Sequence, residues 1–460
     1  MAHVFISAAH KSSGKTTLTL GLAAALARRG LAVQPFKKGP DYIDPMWLSL
    51  AAGRPCRNLD FHLMRREEIL ASFARHGRAA DVSLIEGNKG LYDGLDLHGS
   101  NSNAALASLL GSPVVLVIDA RGMTRGIAPL ILGYQAFDPS IRIAGVILNN
   151  LGGARHEHKL RAVIGHYTDL EVIGAVPHDE RIAIVERHLG LVPSNEAAAA
   201  AGVVDAVRER IESSVDLDRL LAIAAGAAPL PAQSSGPAPA RAAAAGRARL
   251  RVGIARDAAF GFYYADDLEA LAEAGAELVA IDMLHAPRLP EIDALVIGGG
   301  FPETQMRELE ANESLRHDLA RAIEGGLPVY AECGGLMYLA RSISWQGETA
   351  RMVGAVPGDA VMHPRPVGRG YARLEGTPEA GWLPARGGDG IPAHEFHYAS
   401  LDNLPPELRY AYRVARGHGV DGARDGIVHR NVLASFCHLR GAGERGWVAP
   451  FVEFARRHAA

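Results

Sequence analysis

Short runs of β-branched and aliphatic residues alternate with longer Ala- and Leu-rich stretches along this chain, and the alternation is interrupted once. Residues 226–248 are rich in Pro, Ala, Ser and Gly and have neither alternating nor helical apolar spacing. Such a segment buries too little apolar surface to offset the entropy of ordering, which is typical of a linker. The chain is therefore predicted to contain two domains, residues 1–225 and 249–460, joined by this linker.

The apolar runs on both sides of the linker have the length of buried strands. Continuous Val- and Ile-rich runs bounded by polar turns are typical of parallel strands that are covered on both faces. We expect strands at Val4–Ile6, Val82–Ile85, Val114–Ile118, Ala144–Leu148, Val172–Ala175, Arg251–Ile254, Glu277–Ile281, Ala294–Ile297 and Val329–Ala331. The predicted fold class is α/β, with two doubly wound and mostly parallel sheets.

Charge, hydropathy and cysteine content exclude several kinds of partner. The 48 Lys and Arg residues and 51 Asp and Glu residues leave a formal charge of −3, so no net basic field attracts nucleic acid or an anionic membrane. No apolar run approaches the roughly 20 residues of a membrane helix, and the start of the chain has the pattern of a strand rather than a signal peptide. The 3 cysteines cannot form a disulfide framework. We expect a cytoplasmic protein without nucleic acid or membrane partners.

The first predicted strand leads into a segment with the residues of a phosphate-binding loop. Before an Ala/Leu-rich helical stretch stand Ser13, Gly14, Lys15, Thr16 and Thr17. Backbone N–H groups at a helix N-terminus bind phosphate oxygens, the Lys reaches the β- and γ-phosphates, and the hydroxyl binds Mg²⁺. The alternative is a chance Gly-Lys-Thr at a helix start, which the position on the first strand–helix turn disfavours. The loop therefore predicts ATP as a co-substrate.

Four carboxylates follow predicted strands of the first domain. They are Asp41, Asp44, Glu86 and Asp93. Because ligands of open α/β sheets lie outside the carboxyl ends of the strands, we expect these acids near the phosphates, with Thr16, Asp41 and Glu86 as ligands of Mg²⁺. The alternative for each acid is that it only caps a turn or a helix. Asn149 and Pro177, which end later strands, are candidate nucleotide contacts.

The second domain has a cysteine on a turn between a predicted strand and a helix. Cys333 follows the strand Val329–Ala331 after one residue and precedes a Gly-Gly pair. A nucleophile on such a turn is exposed, and the helix N-terminus lowers the pKa of a thiol. A lone cysteine is more often a small buried hydrophobe. We keep that interpretation for Cys56 and Cys437 and predict that Cys333 is a nucleophile.

Two further groups would complete a thiol-dependent site. Gly299 and Gly300 end another strand, and their backbone N–H groups, with that of Gly334, would form an oxyanion hole. A base must also reach the thiol, and His438 at the end of a late apolar strand is the best candidate. The predicted catalytic pair is Cys333 and His438.

Together these motifs resemble those of the cobyrinic acid a,c-diamide synthase family, within the wider group of cobyrinate and cobyric acid amidases. The segments that carry the resemblance are Lys38–Pro45, Glu86–Gly94, Gly298–Glu303, Ala331–Leu336 and His394–Tyr398. The resemblance extends from the phosphate loop to His438. It implies an N-terminal ATP-binding amide synthetase domain like dethiobiotin synthetase and a C-terminal class I glutamine amidotransferase domain with a flavodoxin-like fold.

The resemblance also implies an activity, that of a carbon–nitrogen ligase with glutamine as the nitrogen donor. Such an enzyme of cobalamin biosynthesis amidates the a and c acetate carboxylates of a tetrapyrrole such as cobyrinate, through an acyl phosphate. Cys333 matches the nucleophile that attacks glutamine, and His438 matches the histidine that activates it. The acids that match the synthetase site are Asp41, Asp44, Glu86 and Asp93. The implied partners are ATP, glutamine and a tetrapyrrole polycarboxylate, with Mg²⁺ as cofactor, and a homodimer is compatible with them.

Three departures from the family pattern bear on these expectations. Ala9 stands where the phosphate loop usually starts with glycine. Asn88-Lys89 forms a polar pair before the Gly-Leu-Tyr-Asp-Gly stretch, which keeps open an alternative acceptor, a sirohydrochlorin or siroheme side chain. Leu439-Arg440 follows His438, so the Glu that many class I amidotransferases have two residues after this His is absent. The Cys333–His438 pair is left without an evident third member.

Two other function classes compete with this interpretation. A P-loop switch ATPase with a non-catalytic second domain explains the phosphate loop but not the turn at Cys333. A thiol hydrolase with a regulatory first domain explains Cys333 but gives the phosphate loop no catalytic use. Release of glutamate from glutamine separates the amidotransferase from the switch ATPase, and ATP-independent hydrolysis of a peptide or ester would favour the hydrolase.

Overall fold

The computed structural model describes residues 1–179, 186–187, 190–195, 200–230, 249–383 and 390–459. The chain divides into two compact units, Met1–Gly236 and Pro237–Ala460. Residues 231–248 of the predicted linker lie outside the described residues, so the linker stays a prediction. No helix among the described residues combines the length and the apolar character that crossing a membrane requires.

The first unit is built on one parallel sheet. Its strands are β1 (His3–Ala8), β2 (Val33–Lys38), β3 (Arg57–Leu59), β4 (Val82–Glu86), β5 (Val114–Asp119), β6 (Ile143–Leu151) and β7 (Val172–Pro177). They lie in the order β3-β2-β4-β1-β5-β6-β7, and all neighbours are parallel. A short antiparallel hairpin follows, formed by β8 (Glu186–Arg187) and β9 (Gly190–Leu191).

Helices connect the strands of this sheet. They are α1 (Lys15–Arg28), α2 (Ile43–Ala52), α3 (Arg66–Gly77), α4 (Asn103–Leu110), α5 (Ile127–Phe137), α6 (Ala154–Tyr167), α7 (Ala200–Ser214) and α8 (Leu217–Ala225). The central strand β1 is buried along its whole length, which explains its continuous apolar sequence. Because β1 lies between β4 and β5, the loops after β1, β2 and β4 open at the same edge of the sheet, where ligands of such folds bind.

The second unit contains more strands than the sequence pattern indicated. They are β10 (Leu250–Ala255), β11 (Phe260–Phe262), β12 (Ala276–Ile281), β13 (Ala294–Ile297), β14 (Gly299–Gly300), β15 (Val329–Glu332), β16 (Ser342–Trp345), β17 (Glu348–Arg351), β18 (Asp359–Met362), β19 (Gly368–Gly376), β20 (Ile391–His397), β21 (Ala399–Asp402), β22 (Arg409–Arg416), β23 (Arg424–His429), β24 (Val432–Ser435) and β25 (His438–Leu439). Its helices are α9 (Ala265–Glu273), α10 (Met306–Ala311), α11 (Glu313–Glu324), α12 (Gly334–Leu339) and α13 (Val448–His458). Two short 3₁₀ helices span Pro302–Gln305 and Pro378–Ala380.

Ten of these strands form one mixed sheet in the order β12-β10-β13-β15-β24-β23-β22-β19-β20-β25. The neighbours from β12 to β24 are parallel, and those from β24 to β25 are antiparallel. The α/β class is confirmed, and the parallel half of the second sheet contains the predicted strands. The antiparallel half brings β25 beside β20 at the far end of the order.

Apolar clusters cover both faces of the second sheet. Within β15, Val329 and Ala331 belong to one cluster and Tyr330 belongs to the other. This alternation is the ordinary period of a strand, and it places Glu332 on the face of Tyr330. The alternation of side chains along β15 therefore decides which face of the sheet each of them reaches near the turn that follows.

Candidate active site

The loop between β1 and α1 has the conformation of a phosphate-binding turn. Gly14 adopts a φ of 84°, and a Cβ at this position would lie 2.2 Å from Asn149 Nδ2. Only glycine fits both demands. Asn149 Nδ2 donates a hydrogen bond of 3.0 Å to the carbonyl oxygen of Ser13, so this predicted nucleotide residue braces the loop. Ala9, where the family has glycine, accepts a hydrogen bond from the Tyr134 hydroxyl.

A buried network of charges adjoins this loop. Thr16 Oγ1 donates to Glu86 Oε1 at 2.7 Å and to Asp44 Oδ2 at 3.3 Å. Lys37 Nζ lies 2.5 Å from Asp44 Oδ2 and 2.7 Å from Glu86 Oε1. Asp41 Oδ2 is farther from the same ammonium, at 3.8 Å. Three of the four predicted acids therefore surround one lysine beside the first turn of α1.

The fourth acid has different contacts. Asp93 Oδ2 accepts the backbone N–H of Gly90 at 2.8 Å, which closes the turn of its own loop. Asp41 has a mixed role, because its Oδ1 accepts the N–H groups of Ile43 and Asp44 and so caps α2. Asp93 and one oxygen of Asp41 therefore cap a turn or a helix, which was the alternative to a binding role. Glu86 does not act as a cap, because its contacts are with Thr16 and Lys37.

Burial and charge together set the ionisation of this network. Burial lowers the pKa of Lys37, but Asp44 and Glu86 outweigh it and raise that pKa well above its usual value. Burial raises the pKa of Glu86, although the Lys37 charge opposes it. Burial and the Asp44 charge raise the pKa of Asp41. Burial also raises the pKa of Asp44, but the Lys37 charge outweighs it, so the pKa of this carboxyl lies below its usual value. The site therefore holds a lysine that stays charged, one carboxylate that ionises readily, and two, Asp41 and Glu86, that retain protons more strongly than exposed ones.

One carboxylate oxygen tests whether the network fits Mg²⁺. Glu86 Oε2 is buried and has no hydrogen-bond partner among the described residues. An orphaned buried oxygen is a position that a cation can satisfy, and Mg²⁺ prefers oxygen ligands. The Thr16 hydroxyl and the half-buried carboxylate of Asp41 lie beside the same network. This donor set fits the predicted cation.

The remaining predicted residues of the first unit lie along the same edge of the sheet. Lys15 is buried at the start of α1, and burial together with the Lys37 charge lowers its pKa to about 8. Thr17 is half-buried in the first turn of α1. Pro177 ends β7 and pairs with Leu151. The predicted nucleotide residues are thus distributed over the ends of β1, β6 and β7.

A second lysine beside the network has no role in holding the acids together. Lys38 is buried, and its Nζ donates to Asn88 Oδ1 at 3.2 Å. Burial lowers the pKa of Lys38 to about 8, with Asp60 opposing the shift and Lys89 adding to it. The polar pair Asn88-Lys89, which departs from the family pattern, therefore lies next to Lys38.

In the second unit, Cys333 occupies a strained turn between β15 and α12. Its φ of 48° is rare for a residue with a side chain. The backbone N–H of Cys333 donates to Ser435 O at 2.7 Å, which fixes the turn against β24. A Cβ at Gly335 would lie 2.3 Å from Ile297 O, so the turn requires glycine there. The geometry is that of the predicted strand–turn–helix elbow. The side chain of Cys333 is buried rather than exposed as expected, because the turn packs against β24, and its role as a nucleophile stays a prediction.

The predicted oxyanion glycines approach this elbow closely. A Cβ on Gly334 would lie 3.1 Å from the backbone nitrogen of Gly300. A Cβ on Gly299 would lie 2.8 Å from His438 Cε1. The structure thus brings Gly299, Gly300 and Gly334 together beside Cys333 and His438.

His438 lies between three other groups. It forms a side-chain hydrogen bond with Cys333, and its Nδ1 lies 3.2 Å from Glu332 Oε2. The ring of His394 stacks on the His438 ring with centroids 4.9 Å apart, and the Tyr264 hydroxyl lies 3.3 Å from His394 Nδ1. Burial lowers the pKa of His438, but the bonds to Cys333 and Glu332 raise it to about 10.

The other two cysteines behave as the sequence analysis expected. Cys56 and Cys437 are both free and buried. Burial raises the pKa of each thiol well above its usual value. A thiol that stays protonated is a poor nucleophile. These side chains are packed as small hydrophobic groups.

Three residues that the structure places in these sites were not among those predicted from the sequence. They are Lys37, Glu332 and His394. Lys37 precedes two of the acids that surround it, but only the pairing of β2 with β4 places it beside Glu86. Glu332 adjoins Cys333, but only the pairing of distant strands places it against His438. His394 pairs with His438 across β20 and β25, which sequence spacing does not reveal.

Comparisons with known proteins match both units. Residues 5–192 match the model of the CobQ/CobB/MinD/ParA nucleotide binding domain. Residues 251–445 match that of the CobB/CobQ-like glutamine amidotransferase domain.

Curated relatives match almost the whole chain. A cobyrinate a,c-diamide synthase from Magnetococcus marinus is 49% identical over 450 residues, which cover 98% of this chain and 96% of that protein. A protein of the same name from Methanosarcina acetivorans is 43% identical, with 99% of this chain and 96% of the relative covered. Another from Listeria innocua is 38% identical over 95% of this chain and 96% of the relative. This chain therefore belongs to the cobyrinate a,c-diamide synthase family.

Proposed function

We propose that this enzyme uses ATP and glutamine to amidate the a and c acetate carboxylates of a cobyrinate-type tetrapyrrole. The observation that carries the proposal is the Cys333 elbow with its buried His438, on the same chain as a phosphate loop beside a carboxylate cluster. A switch ATPase has no use for the Cys333 elbow, and a thiol hydrolase has no use for the phosphate loop. The name of the relatives supports cobyrinate as the acceptor.

The glutaminase reaction takes place at Cys333. Cys333 reacts as the thiolate, with the proton held on His438, and the sulfur attacks the carbon of the glutamine side-chain amide. Backbone N–H groups of Gly299, Gly300 and Gly334 stabilise the oxyanion of the tetrahedral intermediate. His438 then protonates the departing nitrogen, the C–N bond breaks and ammonia leaves. Water hydrolyses the thioester, which releases glutamate and restores the thiol.

The synthetase reaction takes place at the phosphate loop. A carboxylate oxygen of the tetrapyrrole attacks the γ-phosphorus of ATP, and ADP leaves. Lys15 and the N–H groups at the start of α1 hold the phosphates. Ammonia from the glutaminase site attacks the acyl phosphate carbon, and inorganic phosphate leaves with the C–O bond pair, which yields the amide. Phosphorylation is necessary because a free carboxylate is a very poor acceptor for ammonia.

Mg²⁺ fits the synthetase site through the oxygens of Thr16, Asp41 and Glu86. When bound, it would neutralise negative charge on the phosphate oxygens of ATP. Lys37 fixes the orientation of Asp44 and Glu86 through its two short contacts. Asp93, whose Oδ2 closes its own loop, shapes the neighbouring turn and belongs to the same proposed site.

The acceptor has a second candidate. Lys38, Asn88 and Lys89 form a polar group beside the carboxylate network, and a polycarboxylate needs local cations because the chain has no net positive charge. Sirohydrochlorin and siroheme also carry acetate side chains. The names of the relatives favour cobyrinate.

Compartment and assembly follow from the chemistry only as predictions. All three cysteines are free, and Cys333 must stay reduced for the proposed reaction, which supports a cytoplasmic location. A homodimer stays a prediction, which sedimentation of the purified chain would test.

Replacement of the nucleophile tests the proposed function. Cys333→Ala is expected to abolish glutamine-driven amidation and to retain amidation driven by an ammonium salt. The matched control Cys56→Ala, which removes another buried thiol, should retain both activities. Equal loss of both activities in Cys333→Ala would contradict the two-site reaction.

The reciprocal variant removes the synthetase chemistry. Glu86→Gln should abolish amidation from either nitrogen source, while hydrolysis of glutamine to glutamate remains measurable. Normal amidation by this variant would exclude Glu86 from the synthetase site.

A further inference from the structure

The position two residues after His438 holds a base rather than an acid. Arg440 occupies it, and its Nη2 lies 2.8 Å from Asp266 Oδ2. The ion pair directs the side chain to α9. The acid that many class I amidotransferases have at this position is therefore absent both in sequence and in charge.

A carboxylate from another strand contacts the histidine instead. Glu332 Oε2 lies 3.2 Å from His438 Nδ1, and both side chains are buried. Glu332 is the last residue of β15 and immediately precedes Cys333. Two consecutive residues thus contact the imidazole of His438, Cys333 through its thiol and Glu332 through its carboxylate.

The orientation of this carboxylate is fixed by two further donors. Its other oxygen, Oε1, accepts the Tyr330 hydroxyl at 2.5 Å and the backbone N–H of Leu439 at 2.9 Å. Tyr330 lies on the same face of β15, two residues before Glu332. Leu439 directly follows His438, so one carboxylate holds both the ring and the adjacent backbone of the histidine.

We propose that Glu332 is a positioning residue that replaces the missing third member of the Cys333–His438 pair. Its contact at Nδ1 leaves Nε2 of the imidazole for the thiol. The negative charge also stabilises the imidazolium form of His438, which holds the proton beside the thiolate. This role rests on the proposed glutaminase reaction. The acid that orients the histidine is then the residue before the nucleophile rather than a residue after the histidine.

Several titratable groups surround Glu332 and His438 and can influence a pH profile. They are Cys333, Tyr330, Tyr263, Asp267 and His394. None of the substitutions proposed below introduces a new charged group. A change in the profile therefore reports the loss or alteration of the carboxylate.

The main test is Glu332→Gln, assayed as glutamate release from glutamine. We expect kcat to fall by roughly 10²–10⁴-fold with little change in KM, because an amide orients the imidazole poorly and does not stabilise its charge. The basic limb of the pH profile should move to lower pH, because the imidazolium loses the carboxylate that favours it. Amidation driven by an ammonium salt should be retained.

Tyr330→Phe is a second variant that changes the same carboxylate without removing it. Loss of the hydroxyl donor makes the carboxylate more basic, so the basic limb should move to higher pH, opposite to Glu332→Gln. The matched control Glu348→Gln neutralises an exposed glutamate of the same unit and should leave the profile unchanged. A merely structural role for Glu332 predicts no such pair of opposite shifts.

Wild-type kcat and an unchanged pH profile in Glu332→Gln would overturn the inference. If Glu332→Gln does not fold, an unchanged profile in Tyr330→Phe would overturn it equally. Failure of the proposed function would look different, because the wild-type chain itself would then release no glutamate from glutamine.

Discussion

A single methyl group at Gly299 should disable glutamine use and spare the synthetase. In Gly299→Ala the added Cβ would lie 2.8 Å from His438 Cε1 and 3.3 Å from Phe262 Cδ2. Carbon atoms prefer separations of about 3.5 Å or more, so the imidazole must withdraw by about 0.7 Å. A displacement approaching 1 Å in a catalytic group costs up to about 10²-fold in rate. We therefore expect glutamine-driven kcat to fall by roughly 10–100-fold, about 1.4–2.7 kcal/mol in activation free energy.

The assay compares amidation from glutamine with amidation from an ammonium salt on the same preparation. The ammonium-driven rate should equal that of the wild-type chain, because Gly299 is in the second unit. Gly376→Ala is the matched control, since a Cβ there would meet nothing within 4 Å in the same unit. Wild-type glutamine-driven activity in Gly299→Ala would refute the close approach of His438 to this strand end.

Three further predictions concern lysines of the first unit. Lys37→Met leaves Asp44 and Glu86 without the ammonium that contacts both of them, and should lower the free energy of unfolding by roughly 3–5 kcal/mol, measured by urea denaturation. Unchanged stability would mean that the ion pairs make no net contribution to it. Lys38→Met should raise KM for the tetrapyrrole roughly 10–100-fold, as expected for the loss of a charged hydrogen bond, and should leave KM for ATP unchanged. An unaltered KM for the tetrapyrrole would exclude Lys38 from acceptor binding. The pKa of Lys15 is about 8 in the free protein, and the negative charge of bound phosphates should raise it. ATP binding at pH 8 should therefore take up protons, which calorimetry in buffers of different ionisation enthalpy measures. Release of protons on binding would contradict this prediction.

Local signals were sufficient to predict the phosphate-loop turn and the turn at Cys333. The phosphate loop needs glycine at Gly14, and the elbow at Cys333 needs small residues after it, and both requirements lie within a few consecutive residues. The buried parallel strands were predicted for a similar reason, because strands covered on both faces have continuous apolar sequences. These features depend on local sequence alone.

The antiparallel half of the second sheet was not predicted because its strands do not have such runs. In β22 the residues Tyr410–Tyr412 are buried and residues at both ends are exposed. Partial exposure of this kind gives a weak and irregular alternation. The pattern is weak because these strands are stabilised by pairing with neighbouring strands rather than by burial of a continuous apolar sequence.

The contacts of Glu332, His394 and Lys37 could not be predicted because they depend on long-range strand pairing. Glu332 and His438 are separated by 106 positions in the chain, and the end of β15 meets β25 only in the folded domain. His394 reaches His438 only through the pairing of β20 with β25. Lys37 was visible as a neighbour of acids, but the three-dimensional order of β2, β4 and β1 decides that it bonds Glu86.

The central claim is that one chain moves nitrogen from glutamine to a tetrapyrrole carboxylate. The most direct measurement is mass spectrometry of cobyrinate after incubation with ATP, Mg²⁺ and amide-¹⁵N-labelled glutamine, alongside sirohydrochlorin as the competing acceptor. We predict cobyrinate a,c-diamide with ¹⁵N in both new amides, and no labelled product from Cys333→Ala. Unmodified cobyrinate in the presence of the wild-type chain, or labelled product from Cys333→Ala, would contradict the account.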